Sequence, residues 1–128
     1  VMGHIGIMPQ SVRGKFKYKG KTNTEKNKLL KDSKLLEEAG VFAIVLECIE
    51  RKLSKEITDS INIPTIGIGS SNFCDGQIMV TDDLLGLTDT KIKFVKKYAD
   101  LKGSVKNAVK KFKLEVKKGS YPSIKYSY

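Results

Sequence analysis

The sequence predicts an α/β fold in which a parallel sheet is covered by amphipathic helices. Two observations predict it. Val41–Leu46 is a short apolar run in which Val41, Ile44 and Val45 are β-branched, the pattern of a strand buried on both faces of a parallel sheet. Around it, short apolar segments alternate with longer stretches whose apolar residues recur at helical spacing. Strand, helix, strand, helix and strand therefore follow in turn, which is half of an α/β barrel's grammar. The 128 residues are enough for one ordinary hydrophobic core.

The elements follow in order. Val1–Ile7 reads as a short strand containing His4, with Gly3 and Gly6 leaving room for a ligand or another backbone to come close. Ser11–Lys21 reads as an exposed loop, in which Lys15-Phe16-Lys17-Tyr18-Lys19 alternates basic and aromatic residues. Thr22-Asn-Thr-Glu25 has the form of a capping box. It opens a helix to about Ala39 with Leu29, Leu30, Leu35, Leu36 and Ala39 on its buried side, and Gly40 supplies the stop. After the central strand, Ile49, Leu53, Ile57 and Ile61 make one apolar stripe, closed by Pro64.

Thr65–Gly69 is the next strand. It opens into Ser70-Ser71-Asn72, which is either a tight turn or a cradle for an anion. Gln77–Val80 predicts a further short strand. The seven residues between are fewer than a parallel crossover usually needs, so the β-α rhythm breaks here. Asp82 and Asp83 read as an N-cap for a helix starting near Leu84 in preference to a metal pair, because adjacent residues on a strand face opposite ways. Two further helical stripes follow. One is Phe94, Val95, Tyr98 and Leu101; the other is Val105, Ala108, Val109, Phe112 and Val116. Gly119-Ser-Tyr-Pro122 ends the last helix.

Charge and composition narrow the function classes. The net charge is +10, but the basic residues are nearly all lysine; only Arg13 and Arg51 are arginine, the usual reader of bases. The lysines are spread over several helices as solvated faces, so no nucleic-acid partner is expected. No apolar run approaches a membrane span. Cys48 and Cys74 lack metal-ligand spacing and read as reduced thiols. The chain starts Val1-Met-Gly, without an initiator methionine or a signal peptide, and reads as a strand entered in mid-protein, hence a fragment.

Glu47 closes the central strand. An ionised carboxylate is costly inside an apolar strand, so it is expected at the strand end where a cleft begins. Two readings stand there: a carboxylate paired with a cation or capping the next helix, or a general base surrounded by apolar neighbours. His4, likewise, is either packed and hydrogen-bonded or functional.

Several stretches, taken in order, resemble ketopantoate hydroxymethyltransferase (3-methyl-2-oxobutanoate hydroxymethyltransferase). They are Gly3-His4-Ile5-Gly6-Ile7-Met8-Pro9-Gln10-Ser11, then Leu36-Glu-Glu-Ala-Gly40 leading into Ala43-Ile-Val-Leu-Glu47-Cys48. Ile63-Pro-Thr-Ile-Gly-Ile-Gly69, Cys74-Asp-Gly-Gln77, Asp83-Leu-Leu-Gly-Leu87, Phe94-Val-Lys-Lys-Tyr98 and Gly119-Ser-Tyr-Pro122 follow. Met8 departs from the threonine common in the family.

The resemblance implies the C-terminal half of a (β/α)8 TIM barrel, about strands five to eight with their helices. Residues 1–128 would then be part of a single domain whose N-terminal half is missing. It implies a cytoplasmic, Mg²⁺-dependent homo-oligomer, a homo-decamer in the family. That enzyme transfers a one-carbon unit from 5,10-methylenetetrahydrofolate to 3-methyl-2-oxobutanoate, giving 2-dehydropantoate for pantothenate biosynthesis. Glu47 matches the general base and His4 a histidine against the oxo acid. The metal ligands are expected in the missing half, so this chain carries none, and alone it is expected to be inactive. Two alternatives remain beside this reading: another Mg²⁺-dependent barrel enzyme acting on 2-oxo acids, and a non-enzymatic lysine-rich binding module.

Overall fold

The computed structural model describes residues 1–7 and 18–128. Met8 and the Lys15–Lys17 part of the basic-aromatic stretch lie outside the described residues. Residues 1–78 and 79–128 form two compact units.

The first unit is built on a parallel sheet of β1 (Gly3–Gly6), β2 (Ile44–Glu47), β3 (Thr65–Ile68) and β4 (Gly76–Gln77), in that spatial order. Two helices cross between strands: α1 (Asn23–Glu38) and α2 (Arg51–Ser60). Gly3 pairs with Ile44 and Gly6 with Glu47; Ile44 pairs with Thr65 and Glu47 with Ile68. Every residue of β2 is buried, as its apolar run requires.

Strand pleating divides the sheet into two faces. Ile5, Ile44 and Leu46 point toward the helices and join Leu29, Ile49, Leu53, Ile57 and Ile61 in the core. The four-residue stripe of α2 is therefore core along its whole length. On α1 the buried line runs through Leu29 and Ser33, with Leu30 and Leu36 packed at its edge. Leu35 and Ala39, expected inside, are exposed. Ser33 takes the buried turn instead, because it is small and its hydroxyl donates to the Leu30 carbonyl at 2.8 Å. Thr22 caps α1 by accepting from the Glu25 amide. The Glu25 carboxylate reaches back to the amides of Lys21 and Gly20, one and two residues before the N-cap amide that the usual box engages.

The return from β3 to β4 has no helix, yet the strands are parallel. Its anchor is Asp75, whose carboxylate accepts from the Thr65 amide at 2.8 Å and the Thr65 hydroxyl at 3.1 Å. That ties the end of the loop to the beginning of β3, so the chain re-enters in the same direction. The strand is shorter and earlier than the expected Gln77–Val80: beyond Ile78, whose amide donates to the Gly67 carbonyl, no ladder partner remains.

The second unit begins with the one-turn helix α3 (Thr81–Leu84). Asp82 and Asp83 lie inside its first turn, not at its cap, which is Val80. The expected helix around Phe94–Leu101 does not form. Instead this stretch runs back along α3, with the amides of Tyr98, Leu101 and Lys102 donating to the carbonyls of Leu84, Leu85 and Gly86. These are the carbonyls that a helix end leaves unpaired. Asp100 then caps α4 (Leu101–Lys117) through the Gly103 amide. None of the stripe Val105, Ala108, Val109, Phe112 and Val116 is buried, although the Tyr121 ring meets Phe112 edge-on. No helix among the described residues is long and apolar enough to cross a membrane.

Candidate active site

The face of the sheet opposite the helices carries His4 and Gly6 from β1, Val45 and Glu47 from β2, and Ile66 and Ile68 from β3. Glu47 is 8% exposed at the carboxyl end of β2. His4 Nε2 lies 3.1 Å from Glu47 Oε2, and the histidine side chain is 39% exposed. The two sequence-predicted site residues thus come together. A carboxylate with one imidazole partner and apolar flanks can accept a proton from a weak acid placed against it.

The chain turns immediately after Glu47. Cys48 adopts φ +50, a left-handed conformation that few side chains tolerate. Hydrogen bonds from three neighbouring segments hold this turn. The Cys48 amide donates to the Ile68 carbonyl, and the Cys48 carbonyl accepts from the Lys19 amide. The Glu47 carbonyl accepts from the Ile7 amide. Ser70 Oγ donates to the Leu46 carbonyl at 2.6 Å and accepts from the Ile49 amide at 3.1 Å. Gly6 is required here, since a Cβ on it would lie 2.1 Å from the Glu47 carbonyl oxygen. The room that this glycine leaves is filled by another backbone.

Burial pushes the Cys48 thiol up, and the charge of Glu47 adds to the effect. The thiol therefore stays protonated and is no nucleophile. Ser70-Ser71-Asn72 is a tight turn: Ser71 Oγ accepts from the Phe73 amide, and the Ser71 carbonyl accepts from Gln77 Nε2. Asn72 Oδ1 accepts from Arg51, whose guanidinium lies over the Phe73 ring. Asp83 accepts from the Thr88 hydroxyl. Among the described residues, no three His, Cys, Asp or Glu side chains could hold a metal ion together.

Sequence reading did not find Ser70, Ile7 or Lys19 as supports of Glu47. Lys19 forms an isolated parallel bridge with Ile49, and Gly20 beside it is buried against Leu53. This end of the supposed exposed loop is thus docked. Nothing in the sequence named the partners.

The family model described as ketopantoate hydroxymethyltransferase matches residues 1–124. A 3-methyl-2-oxobutanoate hydroxymethyltransferase of Pelagibacter ubique (strain HTCC1062) is 53% identical over 128 residues, covering all of this chain and 49% of the relative. The enzyme of the same name from Clostridium botulinum (strain Loch Maree / Type A3) is 52% identical over 131 residues, covering 48% of its length. That of Caulobacter vibrioides (strain NA1000 / CB15N) is 47% identical, covering 47%. The chain spans about half the length of the curated relatives it matches. With a match from residue 1 to residue 124, it belongs to the ketopantoate hydroxymethyltransferase family.

Proposed function

We propose that this chain is the base-bearing half of a 3-methyl-2-oxobutanoate hydroxymethyltransferase. In this reading residues 1–128 are part of one barrel domain, its C-terminal half, with the strand ends that hold Glu47 and the complementary half supplying the rest of the site. The observation that carries it is the nearly buried Glu47 carboxylate at a strand end, beside His4 and among apolar side chains.

The step assigned to this chain is proton removal. The C3–H bond of the oxo acid breaks, its proton passes to Glu47, and its electron pair moves into the enolate between C3 and C2. The enolate carbon then forms a C–C bond to the one-carbon unit, for which we assign 5,10-methylenetetrahydrofolate as donor; the two C–N bonds of its methylene break, tetrahydrofolate leaves, and a water supplies the oxygen of the new hydroxymethyl group. His4 lies against Glu47 with Nε2 3.1 Å from Oε2 and presents the rest of its partly exposed ring to the oxo acid. Magnesium is held by clustered oxygen ligands, and the described residues make no such cluster. They do not fit the ion, and the chemistry proposed for them is general-base catalysis alone. The proposed setting is a cytoplasmic homo-oligomer on the pantothenate pathway.

The test joins this chain to the complementary half of the Pelagibacter ubique relative. The product should exchange the C3 proton of 3-methyl-2-oxobutanoate for deuterium. Glu47→Gln keeps the shape but removes the base, so exchange should fall by roughly 10²–10⁴-fold, with oxo-acid affinity little changed. Exchange at the parent rate would reduce Glu47 to a structural strand-end carboxylate.

A further inference from the structure

Resting on the reading of Glu47 as a base, we infer that Ser70 is a positioning residue for it. The hydroxyl bridges Leu46 and Ile49, the residues on either side of Glu47-Cys48. It donates to the Leu46 carbonyl at 2.6 Å and accepts the Ile49 amide at 3.1 Å. One hydroxyl can do both because it is donor and acceptor at once. The bridge closes over the place where the strand stops being regular: Cys48 at φ +50 turns the backbone out of β2.

The peptide groups at this strand end are already held from neighbouring segments. Ile7 and Ile68 hold its peptide groups from the two neighbouring strands, and Lys19 holds the Cys48 carbonyl. Those bonds are backbone to backbone and fix where the turn lies. Ser70 supplies a side-chain tie across it, from Leu46 on one side to Ile49 on the other. It therefore sets the spacing across the base and the direction in which the Glu47 side chain leaves the backbone.

The geometry separates Ser70 from its neighbours. Ser71 and Asn72 serve the loop itself and α2, through Phe73, Gln77 and Arg51. Of the three polar residues after β3, Ser70 is the one bonded to the backbone on both sides of Glu47.

The test uses the same joined protein, with four readouts: C3 proton exchange at saturating oxo acid, the oxo-acid KM, thermal unfolding, and Ile49 amide exchange. Ser70→Ala is expected to lower saturated exchange by about tenfold, within the roughly 10²-fold that displacement of a reacting group by 1 Å can cost. KM should stay unchanged, and the Ile49 amide should lose protection. Ser70→Thr, which keeps the hydroxyl, should restore the rate to within about twofold of the parent. A parent-like rate in Ser70→Ala, beside a large loss in Glu47→Gln, overturns the Ser70 inference and leaves the base intact. A parent-like rate in Glu47→Gln overturns the base itself. Loss of thermal stability in Ser70→Ala with unchanged saturated exchange also overturns the Ser70 inference, by making Ser70 a structural turn residue only. Should Ser70→Ala not fold, Ser70→Cys takes its place. A parent-like saturated rate in Ser70→Cys then counts against the inference, and a loss restored by Ser70→Thr supports it.

Discussion

His4 Nε2 and Glu47 Oε2 meet at 3.1 Å across neighbouring strands although they are not register partners. His4 sits beside Val45, and Gly6 sits beside Glu47. The contact is diagonal and reaches over the glycine. The contact sets the imidazole against one carboxylate oxygen, Oε2.

His4→Ala is expected to act on both sides of this contact. Losing a substrate hydrogen bond, worth about 0.5–1.5 kcal/mol, should weaken oxo-acid binding by roughly two- to tenfold. Losing the partner of Glu47 should also lower the saturated exchange rate. Steady-state exchange against oxo-acid concentration reads both. An unchanged KM removes the substrate contact, and an unchanged saturated rate removes the orienting role.

Gly6→Ala should destabilise by about 2 kcal/mol or more, because it combines a left-handed backbone with a direct clash. Gly6 has φ +106, and its added Cβ would meet the Glu47 carbonyl. Gly40 is the control. It has φ +81 but nothing within 4 Å, so Gly40→Ala should cost only the conformational term, about 1 kcal/mol. Equal losses in thermal unfolding would show that the close approach of Gly6 to Glu47 costs nothing.

Cys48 offers a test of backbone strain. Glycine at φ +50 is relaxed, but it gives up a buried thiol. The two effects, each about 1 kcal/mol, should nearly cancel in Cys48→Gly. Cys48→Val keeps an apolar side chain and adds β-branching, so it should be clearly the less stable variant. If valine is tolerated as well as glycine in denaturant unfolding, the left-handed turn is not constraining.

Acid should loosen the second unit through Asp83. The Thr88 hydroxyl, followed by that of Thr90, holds its carboxyl below the usual range. A carboxyl depressed in the folded state contributes stability above its unfolded pKa and loses it as pH falls through the folded one. Protection of the Tyr98 amide, bonded to the Leu84 carbonyl, should therefore drop on acidification. Asp83→Asn should flatten the dependence, and a parent-like profile in that variant would exclude Asp83 as its source.

The 128 residues expressed alone should be poorly soluble or molten. Val105, Val109, Phe112, Leu114 and Val116 are exposed on α4, and β1 and β4 each leave one edge of the sheet unpaired among the described residues. Such surfaces drive association. A soluble monomer with a cooperative thermal transition is the result that would refute this.

The central strand and the helix after it were legible because their signals are redundant. Ile49, Leu53, Ile57 and Ile61 carry a helical period while Val41–Leu46 carries none, and β2 and α2 follow from that contrast. Glu47 and His4 were legible as strand-borne polar residues, but their pairing was not, since sequence does not give register. A strand at Gln77 was legible, but its parallel pairing was not, because the decisive tie, Asp75 to Thr65, is a side-chain hydrogen bond ten residues back along the chain. The Phe94–Leu101 stripe misled because apolar spacing alone cannot tell a helix from a segment whose amides pair with the end of another helix.

Asp75's return of the chain also has a kinetic consequence. Register partners lie roughly ten residues apart between β3 and β4, twenty between β2 and β3, and forty between β1 and β2. Each doubling of a loop adds about 0.6 kcal/mol of closure entropy, and contacts between distant residues form more slowly. The sheet should therefore assemble from β4 toward β1. The pair formed last is the one that brings His4 to Glu47. Pulse-labelled amide exchange during refolding should find Ile78, bonded to Gly67, protected before Ile7, bonded to Glu47. The meeting of His4 and Glu47 is then the final event of sheet assembly.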